Sequence, residues 1–205
     1  MPGQSLSFDA FVLAKRPPTE AFQPLTVFCV EHGILRVLQR QPRKSAGTIS
    51  PLDLFDEAAL TIESSNQGQT WFLKEARILS RHSTIGRNYS ALLHASAVSS
   101  LIARNPVPDE SRGAVAKLLK QALSAFAASA RPDIVRLKSV YLFARDEGHP
   151  VAQQWFPTLP ASDRSELAKL LNQPLAAQDA SPAVVERLTA RLEEYLRGHT
   201  EIVFD

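Results

Sequence analysis

Cysteine is nearly missing from this chain: Cys29 is the only one in 205 residues. A lone thiol excludes an intramolecular disulfide and any zinc site built from several cysteines. The histidines, His32, His82, His94, His149 and His199, stand far apart and show none of the short spacings that bring metal ligands together. A metal needs several converging donors, so structural or surface roles are expected for them. No run of about 18 apolar residues occurs, so no membrane-spanning helix is expected. The start, MPGQSLSFD, lacks the basic residues and apolar run of a signal peptide. These absences point to the cytoplasm. There is no Gly-rich phosphate loop, no Gly-x-Ser-x-Gly and no His-Glu-x-x-His. Cys29, between Phe28 and Val30 with no basic neighbour, reads as a buried inert thiol rather than a nucleophile. Asp53, Asp56 and Glu57 follow Pro51 and precede a strand, so a turn with solvated charge is expected rather than a catalytic carboxylate pair. A non-enzymatic protein with no metal, no cofactor and no small-molecule substrate is the expectation.

What is present is a globular composition, 44% hydrophobic and 21% charged, enough for one sizeable domain or two small ones. The net charge of +2 conceals a basic middle of the chain between an almost neutral start and an acidic end. In the first third, residues 36–44 carry Arg36, Arg40, Arg43 and Lys44 and no acidic side chain. Such concentration suits a nucleic-acid surface, and an uneven solvated surface remains the alternative.

Strand signals crowd the N-terminal part. Apolar runs at residues 6–15, 22–30 and 34–40 are separated by Pro17-Pro18 and by Glu31-His32-Gly33, where glycine suits a tight hairpin. Residues 41–51 form a long loop. Further strands at 58–63 and 70–76 flank a hairpin signal at residues 64–68. Short strands in this number fit a small closed barrel; an OB-fold is the commonest choice, and an SH3-like barrel would produce much the same string. From Arg77 the period becomes helical. One helix is predicted up to about Ala103 with Tyr89, Leu92, Leu93, Ser96, Ala97 and Ser100 on its apolar face. A second, over about residues 110–130, buries Val115, Leu118, Leu119, Ala122, Leu123 and Phe126. The third opens with Pro132, buries Ile134, Leu137, Tyr141 and Leu142 or Ala144, and stops at Gly148-His149-Pro150. A fourth follows Ser162 as its N-cap. The last begins after Ser181 with Pro182 at its first position and buries Val185, Leu188, Leu192 and Leu196.

The predicted architecture is α+β: an N-terminal five-stranded OB-like β-barrel, residues 1–77, packed on a C-terminal α-helical bundle, residues 78–205. Along the third strand Arg36 and Arg40 share a face with Ile34 and Leu38, while Leu35, Val37 and Gln39 take the other. Arg36 and Arg40 can therefore flank one groove, extended by Arg43 and Lys44 and joined by Lys15 and Arg16 at the end of the first strand. Guanidinium groups bind phosphate through paired hydrogen bonds and release counterions. The competing role is to keep an exposed sheet edge from pairing with other chains. Phe8, Phe11, Phe22 and Phe28 are assigned to the core rather than to base stacking. A second basic series, Lys74, Arg77, Arg81 and Arg87, either prolongs the track or is plain solvated charge.

The chain also resembles the RecO family of bacterial recombination mediators. The resemblance lies in Phe11-Val12-Leu13, Arg16, Glu20 and Gly33-Ile34-Leu35-Arg36-Val37 leading into a basic loop, and more loosely in residues 140–150 and the closing helix. It implies binding of single- and double-stranded DNA, strand annealing, and RecA loading in recombinational repair of DNA damage. It further implies RecR and the single-strand-binding protein as partners, and a cytoplasmic, nucleoid-associated location. Many relatives carry two Cys-x-x-Cys pairs after the glycine-proline turn, and this chain has none. Trp155-Phe156 is expected to hold that connection by apolar burial; an exposed patch that receives a partner is the alternative. A helical protein-interaction adaptor, with the barrel as docking module and no nucleic-acid binding, is the second functional expectation.

Overall fold

The computed structural model describes residues 4–41, 51–65 and 70–204. Arg43, Lys44, most of the predicted loop 41–51 and the tip of the hairpin at 64–68 lie outside the described residues. The chain divides into two compact units, residues 1–82 with 106–116, and residues 83–105 with 117–205. The first thus takes in a stretch, 106–116, that lies well beyond the strands in sequence.

The first unit holds β1 (Ser5–Lys15), β2 (Phe22–Cys29), β3 (Gly33–Arg40), β4 (Glu57–Ser65) and β5 (Thr70–Ser80). They hydrogen-bond in the order β1-β2-β3-β5-β4, and β4 pairs back onto β1, so the mixed five-stranded sheet closes into a ring. Closure leaves no free edge along most of the sheet. All neighbours run antiparallel except β3 and β5, which are parallel through Val37–Trp71 and Leu38–Phe72. Inside the ring Phe8, Ala10 and Val12 meet Leu25, Val27, Cys29, Val37, Leu60, Ile62 and Leu73. These positions alternate along each strand, as a half-buried strand requires.

β5 runs to Ser80, beyond the predicted 76, staying paired with β4 as far as Glu57, and it carries a bulge. Ile62 pairs with Leu73 and Thr61 with Glu75, leaving Lys74 without an opposite number. The inward set therefore switches from Leu73 to Ala76 and Ile78, and a period-two pattern loses the strand there. The β2–β3 turn is as expected: Gly33 has φ of +68°, a conformation costly for a residue with a Cβ. An added Cβ would also stand 3.1 Å from Arg112 Nε. Arg112 reaches this turn to donate to the Glu31 carbonyl at 3.2 Å.

The helices are α1 (Tyr89–Arg104), α2 (Arg112–Ala128), α3 (Pro132–Asp146), α4 (Ala161–Asn172) and α5 (Pro182–His199). The predicted apolar stripe of α2 is buried throughout, as are Ile134, Leu137 and Tyr141 on α3 and Val185, Leu188, Leu192 and Leu196 on α5. Ser181 caps α5 by accepting from the Val184 N–H. Two expectations fail. α1 buries Ala91, Ala95, Val98 and Ile102, leaving Tyr89 78% and Leu93 49% exposed. Leu101 is buried with them, and Ala91, Ala95, Val98 and Ile102 recur at helical spacing as a second apolar stripe, offset from the predicted one, which carries the polar Ser96 and Ser100. α4 starts one residue before Ser162 with Pro160 as its cap, so Ser162 lies inside the first turn.

Side-chain bonds tie the helical unit together. Asp163 of α4, nearly buried, accepts from Arg187 and Arg191 of α5. Asn105 joins the end of α1 to the C-terminal segment, donating to the Val203 carbonyl at 3.0 Å and accepting from its N–H at 2.8 Å. Between α3 and α4, residues Val151–Trp155 form a wide helical turn. Trp155 is 3% exposed and its ring lies 6.3 Å from that of Tyr195, so it anchors the connection. Phe156 is only half-buried, contrary to the expectation for both rings.

Candidate nucleic-acid interface

The outer face of β2, β3 and β5 combines cations with aromatic surface. On β3, Val37 and Gln39 are buried while Arg36 and Arg40 are exposed, the alternation read from the sequence. Among the described residues neither guanidinium has a hydrogen-bond or ion-pair partner. Their Cα atoms are about 13 Å apart, at ~3.3 Å of rise per residue. Strand pairing sets Phe22 opposite Arg40 and Pro24 opposite Leu38, and Leu38 beside Phe72. The Phe22 and Phe72 rings meet with centroids 5.4 Å apart and planes tilted by 57°. With Leu38, Arg40, Leu73 and Lys74 they line a groove of about 320 Å³ that has no carboxylate among its described lining residues. Lys74, the bulge residue, also reaches Glu63 at 2.7 Å. Arg16 is exposed at the edge of this face, its backbone N–H donating to the Pro24 carbonyl.

The structure thus gathers Arg36, Arg40 and Lys74 on one face, with Arg16 beside them. Arg77 and Arg81 are not among them. Arg77 pairs across to Ala59 and lines a different concavity, on β1, β4 and β5, with Asp9 and Glu75. Arg81 is committed to Asp56: Nε donates to Oδ1 at 2.9 Å and Nη2 to Oδ2 at 2.6 Å. Its Nη2 also reaches the Pro51 carbonyl at 3.0 Å. Asp56 is completely buried, which corrects the expectation of solvated charge in this turn, and it also accepts from the Asp53 N–H at 2.8 Å. The hydrogen bond that Arg81 donates to Asp56 raises its pKa above the ordinary guanidinium value. Asp53 pairs with Lys15 at 3.0 Å; burial pushes its carboxyl up, but the Lys15 hydrogen bond and neighbouring charges bring it below its usual value.

The structure corrects the expectation that Phe22 belongs to the core. Phe22 has the opposite parity to Leu25, Val27 and Cys29, which point inward, so its ring lies on the outer face. Parity alone would have found it. Phe11 and Phe28 share that outer side as cross-strand partners, yet both are buried, so parity does not tell which outward ring stays accessible. Phe72 had no such signal, because its proximity to Leu38 depends on the parallel β3–β5 pairing. Cys29 lies in the core, and burial pushes its thiol up to about 11, which keeps it protonated and unreactive.

The helical unit carries its own concavity of about 620 Å³, formed by α1, α3 and α5 and lined by Leu93, His94, Asp133, Arg136, Val185 and Glu193 among others. Within it Arg131 pairs with Asp133 at 2.8 Å and Arg136 with Glu193 at 2.6 Å. His94 Nδ1 is buried without a hydrogen-bond partner among the described residues. Burial, with Arg136 adding to it, lowers the His94 pKa. No group of three or more potential metal ligands occurs among the described residues, and no helix there is long and apolar enough to cross a membrane. The sequence matches no family model and no curated protein.

Proposed function

We propose that the closed five-stranded sheet is an OB-like nucleic-acid-binding barrel. On this reading the chain acts without covalent chemistry as a DNA-binding recombination mediator of the RecO kind. The observation that carries it is the pair Arg36 and Arg40, exposed on one face and without partners among the described residues, beside a groove with cations on its rim and no carboxylate among its described lining residues. A guanidinium already bonded to a carboxylate must give up that bond to take a phosphate, whereas these two need give up only water. Phosphate contacts carry no base information, so single- and double-stranded DNA both qualify as ligands. Annealing then requires only that bound cations reduce the repulsion between two strands. RecR, RecA loading and the acidic tail of the single-strand-binding protein belong to the same proposal through the sequence resemblance.

The test is a titration of labelled single-stranded DNA at two salt concentrations, with the variant Arg36→Glu/Arg40→Glu beside the unaltered protein. Binding should weaken steeply with salt, and the variant should bind every oligonucleotide more weakly with a shallower salt slope. Unchanged affinity in a variant that melts like the parent would remove this face from the mechanism. A second reading, a helical protein-interaction adaptor, draws on the exposed Tyr89 and Leu93 of α1, the latter lining the concavity of the helical unit. Absence of oligonucleotide binding at low salt would favour it.

A further inference from the structure

We infer that the Phe22–Phe72 groove receives one unstacked nucleobase, which makes this sheet face a reader of single strands over duplex. The inference rests on the nucleic-acid reading above and adds to it a ligand form and two specificity-determining side chains.

Phe22 and Phe72 come from strands that are not neighbours: β3 lies between β2 and β5. Their rings meet above Leu38, whose own pairing partners are Pro24 on one side and Phe72 on the other. The result is an apolar floor across the sheet. Both rings are half-buried rather than buried, so each keeps a surface open to the groove. The tilt of 57° between the planes leaves them unable to stack on each other face to face. A flat heterocycle completes such a site, because every base offers an apolar face to an aromatic ring. The cations stand where the base's own phosphates would lie. Arg40 is directly opposite Phe22 in the strand register, Lys74 is on the rim, and Arg36 follows along β3. In a duplex the base faces are stacked and their edges paired, so only a single strand can offer a base here without the cost of flipping it out. Arg36 and Arg40 hold either form by its phosphates; the phenylalanines act on the single strand alone.

The experiment uses the full chain and three labelled ligands of equal length: oligothymidine, an oligonucleotide with abasic sites throughout, and a duplex. The unaltered protein should bind oligothymidine about tenfold more tightly than the abasic strand. Phe22→Leu with Phe72→Leu should erase that difference while leaving abasic and duplex affinities, and their salt slopes, unchanged. The single variant Phe72→Trp, which enlarges the stacking surface, should keep or widen the difference, so the result does not depend on the double variant folding well. Equal, salt-dependent binding of oligothymidine and abasic strand would overturn the inference and leave the phosphate reading standing. The same holds if the leucine variant retains the discrimination. Failure to bind any of the three at low salt would overturn both. Binding of an acidic peptide in place of all three would assign the groove to a protein partner instead.

Discussion

Arg81 can be tested as a structural residue. Its side chain is 40% exposed, while the Asp56 carboxylate it holds is 1% exposed. Arg81→Ala leaves that carboxylate with the Asp53 N–H as its one described hydrogen bond. Removing one partner of a buried ion pair costs about 3–5 kcal/mol. Water reaches the Arg81 end of this pair and screens part of the attraction, so about 2–3 kcal/mol is expected here. For a chain of this length that corresponds to a fall of about 5–10 °C in the melting temperature. Adding Asp56→Asn, which removes the charge but keeps an acceptor, should recover much of the loss. A double-mutant cycle should then show a coupling of at least about 1 kcal/mol. Thermal melts and urea titrations of the two single variants and the double variant supply the measurement. At a temperature where Arg81→Ala is folded, its affinity for single-stranded DNA should equal that of the parent, whereas Arg40→Gln should weaken it. The reasoning is refuted if Arg81→Ala melts within about 0.5 kcal/mol of the parent, or if it loses as much DNA affinity as Arg40→Gln.

Two further outcomes can be checked on the helical unit. Trp155→Ala should cost roughly 3–5 kcal/mol in urea denaturation, the range for deleting a large buried aromatic, because Trp155 is 3% exposed; a loss below about 1 kcal/mol would mean that the ring does not anchor the connection. For His94 the folded-state pKa is below its ordinary value of 6.5, with burial the main cause. Around and just below that value the unfolded chain binds more protons than the folded one, so stability should fall as pH drops through this range. His94→Gln should make the melting temperature less sensitive between about pH 7.5 and 5.5, with His82, shifted in the same direction, keeping some of the dependence. An unaltered pH slope in His94→Gln would show that His94 does not carry it.

Much of the secondary structure was legible because it depends on neighbours in sequence. The turn at Gly33, the cap at Ser181 and the start of α3 at Pro132 are set by backbone preferences of the residues present. The stripe on α2 and the outward pair Arg36 and Arg40 follow from helical and strand periods alone. Where the pattern was read against the wrong partner it failed. Helix α1 offers two stripes at helical spacing, and the structure buries the one with Ala91, Ala95, Val98 and Ile102 rather than the one with Tyr89 and Leu93.

Local pattern therefore determined the strands, most of the helices and the direction of the basic side chains. Tertiary structure decided which cations share a surface and which are spent on the fold. Arg36, Arg40 and Lys74 meet on one face because β3 and β5, far apart in sequence, pair in parallel and a bulge places Lys74 at the rim. Arg81, equally basic in sequence, is taken up by an aspartate that the closed sheet has removed from water. A charge inside a protein must be matched by a partner in space, and spacing along the chain does not state which partner that will be.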